Sequence, residues 1–305
     1  MFKYTLDNKR YYTLNYFFKM KFGKKVFKVP IDINSSCPNQ SSGGCIYCAN
    51  KASASIINNN LNVLNQYENT KKILLQKWPD ALYIPYFQSG TNTYNDYKDV
   101  KKYIDVFLKS ENVVGIDIAT RPDALSQEWL DYLEELNKKT FLMVELGLQT
   151  SNDNTLKFIN RGHKAEDFAI GAKNLKKRGI YVVAHIINGL PYETKDDMLN
   201  TIKFINETGV DALKIHMLYI SKNTKLYDIY KKEKFKILTR EEYIDIVWEQ
   251  LELFRDDIVI VRITGDPIVD DLFEPKWLTK KFMVLNGIDK EMVKRNIYQG
   301  DKYGK

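Results

Sequence analysis

The stretch Cys37-Pro-Asn-Gln-Ser-Ser-Gly-Gly-Cys45-Ile-Tyr-Cys48 holds all three cysteines of the chain within twelve residues. It directly follows Lys25-Val-Phe-Lys-Val-Pro-Ile-Asp-Ile33, whose β-branched and aromatic residues read as a strand that delivers Cys37 to its end. Thiolates are the soft ligands that zinc and iron–sulfur clusters prefer. A closed zinc site needs four protein ligands, yet there is no fourth cysteine, and the nearest histidine in sequence is His163. Three thiolates can instead hold three irons of a [4Fe-4S] cube and leave the fourth iron open to a small molecule. A zinc loop completed by a distant histidine, a Cys45–Cys48 redox pair and buried free thiols are the competing readings.

Outward from this loop, the chain repeats one pattern. Residues 61–78 carry apolar residues at helical spacing and stop at Pro79, which completes a strand–helix unit. Strand-like runs follow at 82–88, 113–120, 141–149, 180–189 and 210–220, separated by charged amphipathic stretches such as 96–109 and 127–138. A spacing near thirty residues suits βα units, whose right-handed crossovers curl a parallel sheet into a barrel. Six strands are too few to close one, so the expected fold is α/β, a partial (β/α)6 TIM-like barrel over residues 1–220. Residues 221–305 read as a C-terminal α/β extension packed on it. Helices are expected at 225–234, from Thr239 and from Trp277, with a strand in Ile258-Val-Ile-Val-Arg-Ile263 between them.

At 305 residues, with 44% hydrophobic and 28% charged residues, the composition is that of an ordinary globular enzyme-sized chain. No apolar run reaches the length of a membrane span, and clustered thiols suit a reducing compartment, so the expectation is a cytoplasmic protein without a membrane partner. A net charge of +7 invites a nucleic-acid partner. However, the lysines are scattered with acids between them, as on a solvated surface. Only eight of the 46 basic residues are arginine, which makes Arg121, Arg161 and Arg262, each beside a motif, the more informative cations.

In parallel barrels the functional side chains gather where strands end, so each strand end was read for chemistry. Gln88-Ser89-Gly90-Thr91 offers backbone that something can approach closely. In Thr120-Arg121-Pro122-Asp123 the proline keeps Arg121 out of helical geometry, which leaves a guanidinium to clamp an anion or to pair with Asp123. Glu145-Leu-Gly147-Leu-Gln149 sets Glu145 and Gln149 on one face by the strand period, a costly place for polar groups unless they bind something. Asn160-Arg161-Gly-His163 comes shortly after. His185 leads into Asn188-Gly-Leu-Pro-Tyr-Glu-Thr194, and Lys214-Ile-His216-Met-Leu218 closes the series. In the extension, Arg262 precedes Ile-Thr-Gly-Asp266.

A strand followed by three clustered cysteines, with Tyr47 before the last, resembles the cluster loop of radical S-adenosylmethionine (radical SAM) enzymes, although the spacing here is C-x7-C-x2-C. The Gln149 and Arg161-Gly-His163 phrases resemble oxygen-independent coproporphyrinogen oxidases, and the Arg121 segment resembles elongator-type tRNA-modifying relatives. The Cys-Pro-Asn opening, the long spacing, Arg262-Ile-Thr-Gly265-Asp266 and Pro275-Lys-Trp277 together resemble the YhcC-like family, from about residue 22 to residue 290. The resemblance implies a [4Fe-4S] cluster on Cys37, Cys45 and Cys48 and S-adenosyl-L-methionine as cofactors, with Ser89, Gly90, Thr91, Gln149, Arg161, His185 and Leu218 near SAM. His185 stands where relatives carry an acid. Arg121, Glu145, His216 and Arg262 are left as substrate candidates, and no side chain is assigned as catalytic. The implied partner is a one-electron donor such as flavodoxin or ferredoxin. Three function readings follow: a radical SAM enzyme acting on a nucleic acid such as tRNA, one acting on a small anionic metabolite, and a non-catalytic metal-loop RNA-binding protein.

Overall fold

The computed structural model describes residues 4, 9–48 and 61–304. In chain order the elements are α1 (Leu14–Phe22), β1 (Val26–Ile31), α2 (Val63–Leu75), β2 (Leu82–Phe87), α3 (Tyr97–Leu108), β3 (Gly115–Thr120), α4 (Gln127–Asn137), β4 (Phe141–Gln149), α5 (Asp153–Phe158), α6 (Ala165–Lys176), β5 (Tyr181–Asn188), α7 (Lys195–Glu207) and β6 (Ala212–Met217). Then come β7 (Ile220–Ser221), α8 (Lys225–Lys232), α9 (Arg240–Leu253), β8 (Val259–Arg262), β9 (Leu272–Glu274) and α10 (Lys281–Lys294). All six expected strands are present in one parallel sheet of order β1-β2-β3-β4-β5-β6-β8. β8 adds a seventh, pairing parallel to β6 with Leu213 opposite Ile260. This strand from the extension satisfies the backbone groups that the edge of a six-stranded arc would leave open. The curled half-barrel and its C-terminal extension match the expected class.

Alternation along the strands divides the interior in two. Val29, Ile31, Tyr83, Phe87, Ile118, Leu146 and Leu148 face outward and form the main core with the surrounding helices. On the opposite face, Val26, Ile84, Met143, Val183, Ala212 and Val259 form a second apolar layer at the base of the barrel. Phe18 of α1, 3% exposed, plugs this layer. Thr13 caps α1 by accepting from the Tyr16 amide and also bridges to Ile260 of β8, which fixes the plug beneath the sheet. In the extension, α9 starts at Thr239 as expected, with a reciprocal capping box to Glu242. β7 and β9 form a small antiparallel pair. Among the described residues no helix is long and apolar enough to cross a membrane.

Candidate functional site

The cysteine loop lies at the C-terminal end of β1 and is sewn to the segment after α5. The Asn39 side-chain amide donates to the Asn160 carbonyl at 2.6 Å and to the Cys45 sulfur at 3.4 Å. Asn160, at φ 52°, returns donors to the carbonyls of Ser42 (3.0 Å) and Gly44 (2.8 Å). The Ile46 amide donates to Ile159. Sequence reading did not single out Asn39 or Asn160, although both stand inside quoted motifs. Short side chains that bond backbone at tight turns are the signal that would have found them.

Arg161 is buried, with Nη2 donating to the Gly147 carbonyl at 2.8 Å and Nη1 directed at the Cys45 sulfur at 3.8 Å. Its Nε is buried without a partner. Gly147 permits this approach, because a Cβ there would stand 2.5 Å from Arg161 Nη2 and 2.8 Å from the Gln149 amide nitrogen. Gln149 sits at φ 80° where the β4–β5 register shifts, so the strand end bends and the side chain is re-aimed. His163 Nε2 lies 3.1 Å from the Gly147 carbonyl and Nδ1 lies 3.0 Å from the Lys164 carbonyl. Burial lowers His163 to about 4, so the neutral ring donates to one of these two carbonyls.

The three thiols fit a shared cluster. None is in a disulfide. Burial, followed by the nearby sulfurs of Cys45 and then Cys37, pushes the Cys48 thiol up to about 11, which puts all three within electrostatic reach of one another. Three thiols with no fourth cysteine are the donor set with which a multi-iron cube can give three of its irons one thiolate each.

Beside the loop, the segment after β2 closes over the chain leading to Cys37. The Thr91 amide donates to the Ser36 carbonyl at 3.0 Å, and Ser35 Oγ donates to Asn92, whose amide in turn bonds the carbonyls of Phe87 and Ala119. Gly90, at φ 72°, is needed because a Cβ would lie 2.0 Å from the Ser35 carbonyl oxygen. The close approach it permits is thus to backbone preceding the cluster loop. Ser89 Oγ is buried without a partner, an unused hydroxyl at the barrel mouth. Leu218 follows β6, buried, its amide bonded to the Asn188 carbonyl at 2.9 Å. Arg121 is committed to Asp123 by a bidentate pair (2.9 and 2.8 Å), with Nη1 buried and unpartnered.

One layer below the mouth and above the apolar base, inward residues of five strands meet around Glu145. Oε1 accepts from Lys28, and Oε2 accepts from Tyr86, from His185 Nε2 at 2.7 Å and from Lys214 at 3.1 Å. Lys28 also pairs with Asp117 at 2.5 Å. Burial lowers His185 to about 4, so its imidazole is neutral and donates through Nε2. Burial and then the nearby Glu145 charge raise Asp117 to about 7, and burial lowers Lys214 to about 8. His216, 5.6 Å from His185 by ring centroid, is held neutral by burial and the Lys214 charge. Arg262 stands opposite Lys214 and pairs with Asp266 at 2.9 Å. The structure therefore joins Glu145 to His185, expected as separate sites. It also adds Lys28, Tyr86 and Asp117, which no local motif marks.

The Radical SAM superfamily description matches residues 35–205, and the Radical SAM C-terminal domain matches residues 210–294. The chain is 40% identical to the uncharacterized protein YtqA of Bacillus subtilis over 98% of this chain and 94% of that one. It is 27% identical to protein YhcC of Escherichia coli over 93% of each. A tRNA uridine(34) acetyltransferase of Methanocaldococcus jannaschii is 28% identical over 57% of this chain, which spans only 34% of that relative. Among solved structures, the Elp3 of Methanocaldococcus infernus superposes with a TM-score of 0.65 at 20% identity, covering 90% of this chain and 64% of that one. With both halves of the fold matched and the three-thiol loop at the barrel mouth, the chain belongs to the radical SAM superfamily, on its YhcC-like branch.

Proposed function

We propose that the protein is a radical SAM enzyme that carries a [4Fe-4S] cluster on Cys37, Cys45 and Cys48, binds S-adenosylmethionine at the barrel mouth and acts on RNA, tRNA being the favoured class. The carrying observation is that Arg161 lies against the loop that holds all three cysteines, its guanidinium reaching the Cys45 sulfur while its Nε is left buried and unbonded. Held by Cys37, Cys45 and Cys48, the cluster would supply one-electron reduction of SAM and so the radical chemistry of this superfamily. The chain's own contribution is positional. Asn39 and Arg161 present hydrogen bonds to a ligating sulfur and so bias the charge the site can hold. Ser89 Oγ and Gln149 offer polar atoms free to meet SAM, and the apolar base beneath excludes water from the barrel floor. The electron comes from a flavodoxin- or ferredoxin-type donor in this reading.

The substrate reading rests on the net charge of +7 and on the named tRNA-modifying relative, whose remaining two-thirds this chain does not span. The alternative, a small anion clamped by Arg121 and Arg262, is weakened because each guanidinium already pairs with an aspartate, Asp123 and Asp266. Anaerobic reconstitution with iron and sulfide should give about four irons per chain. Dithionite should then drive release of 5′-deoxyadenosine from SAM, and Cys48→Ala should abolish it. A single zinc without sulfide would sink the reading. Comparison of modified nucleosides in tRNA from cells with and without the protein tests the substrate class: an unchanged profile counts against tRNA.

A further inference from the structure

Around the cysteine loop, six aromatic rings run in sequence across the face that carries the strand ends. Phe158 at the end of α5 meets Tyr192 in the turn after β5 at 5.1 Å, and Tyr192 meets Phe235 at 6.4 Å. Phe235 packs on Tyr230 at 5.0 Å, and Tyr230 and Tyr227 of α8 reach Phe273 of β9 at 6.2 and 4.9 Å. The first two rings are open to solvent, Phe158 37% and Tyr192 61% exposed. Tyr192 holds φ 67°, a conformation that a bulky aromatic residue rarely adopts and that turns its ring outward here.

The ridge is flanked by cations. From Lys225 to Lys236 the chain has five lysines against two acids, Asp228 and Glu233, and all five lysines are exposed. Lys231 and Lys276 stand 5.9 and 5.8 Å from the Phe273 ring, and Lys157 precedes Phe158. The two ends of the ridge also hold the cysteine loop. Lys225 Nζ donates to the Gly43 carbonyl at 2.6 Å and the Leu226 amide donates to the Ile46 carbonyl at 2.8 Å, while Ile159, next to Phe158, accepts from Ile46.

We propose that this ridge is a docking platform for unpaired nucleotides of an RNA strand, with bases stacking on Phe158 and Tyr192 and phosphates meeting the lysines of residues 225–236, so that the strand passes over the cysteine loop. Aromatic faces alternating with lysines are what sequence-tolerant single-strand binding requires, because every base has a π-face and every nucleotide one charge. An anionic membrane would need a broad apolar face between the lysines, whereas of these rings Phe158 and Tyr192 are the exposed ones and Phe235 is buried. The proposal rests on the RNA reading of the same site and gives it a surface.

The test uses the reconstituted holoenzyme and a fluorescein-labelled single-stranded oligouridylate, followed by anisotropy, with its duplex as comparison. Phe158→Leu together with Tyr192→Leu keeps apolar bulk at two exposed positions and removes both rings. Single-strand affinity should fall about tenfold or more while duplex affinity is unchanged, and Tyr192→Phe should restore one stack. Lys231→Gln with Lys234→Gln should flatten the dependence of log affinity on log salt by about 1.4, the value for two lost phosphate contacts on a single strand. Unchanged single-strand binding in the double leucine variant overturns the proposal, as does preference of the wild type for duplex. Loss of binding to phosphatidylserine vesicles with RNA binding intact would assign the ridge to membranes and overturn it likewise. Because binding is read without SAM turnover, failure of the wild type to form 5′-deoxyadenosine would sink the radical reading and leave the platform standing.

Discussion

Replacing Glu145 by glutamine tests the polar layer inside the barrel most directly. The amide keeps one acceptor, and its best orientation puts that oxygen where Tyr86, His185 and Lys214 converge and turns the NH2 toward Lys28. Breaking a buried ion pair from one side commonly costs about 3–5 kcal/mol. Two neighbours should reduce that here. Lys214, whose carboxylate partner is Glu145, titrates at about 8, so at pH 7 its neutral form lies only about 1.4 kcal/mol above the charged one, which caps its share of the penalty. Asp117, raised to about 7 by burial and then by the Glu145 charge, loses the second cause and shifts toward its ionised form, in which it serves Lys28 alone. The expected cost at pH 7 is therefore about 2–3 kcal/mol, a factor of roughly 30–150 in the folding equilibrium. Its Lys214 share is present below pH 8 and lost above, because there the wild type also holds the amine neutral. Urea unfolding followed by tryptophan fluorescence at pH 7 and pH 9 measures both quantities. A cost near 5 kcal/mol at both pH values would show that the neighbours do not adjust, and a cost under about 1 kcal/mol would show that Glu145 is not their counterion.

Further outcomes follow from single contacts. Gly147→Ala drives a methyl into the Arg161 guanidinium, so it and Arg161→Leu should lower the reduction potential of the reconstituted cluster in the same direction; wild-type potentials would refute the role given to Arg161. Burial raises Glu193 to about 7, and Thr150 donates to only one of its oxygens. A raised carboxyl takes stability away as pH climbs from 4.5 to 7, so Glu193→Gln should match the wild type near pH 4.5 and exceed it at pH 8 by up to about 3 kcal/mol, read as a shift in thermal midpoint. Phe18→Ala opens a cavity under the barrel base and should cost about 3–5 kcal/mol in urea unfolding, an unchanged midpoint excluding the plug.

The strands were legible because each carries a dense apolar run bounded by punctuation, and Thr239 with Glu242 announced a helix start that the structure reproduces. The cysteine loop was legible as chemistry because three soft ligands in twelve residues have few other uses. The layer around Glu145 was not, since Lys28, Tyr86 and Asp117 are isolated polar residues on separate strands that only the curl of the sheet brings together. Lys28, one lysine in an otherwise strand-like run, carries no local sign that it faces inward. The seventh strand was expected outside the arc because its partner, β6, lies more than forty residues upstream, and such pairing leaves no local mark. Nor does any local pattern around Gly90 disclose that its missing side chain makes room for the Ser35 carbonyl.

The helix beneath the barrel, with Phe18 seated against Val26, Ile84, Met143, Val183, Ala212 and Val259, stops the base of the half-barrel and leaves the strand-end face as the approach to the polar layer. If an RNA strand crosses the opposite end as proposed, it would cover a small ligand bound below it, the small ligand would have to load first and leave last, and excess RNA added beforehand should act as an inhibitor.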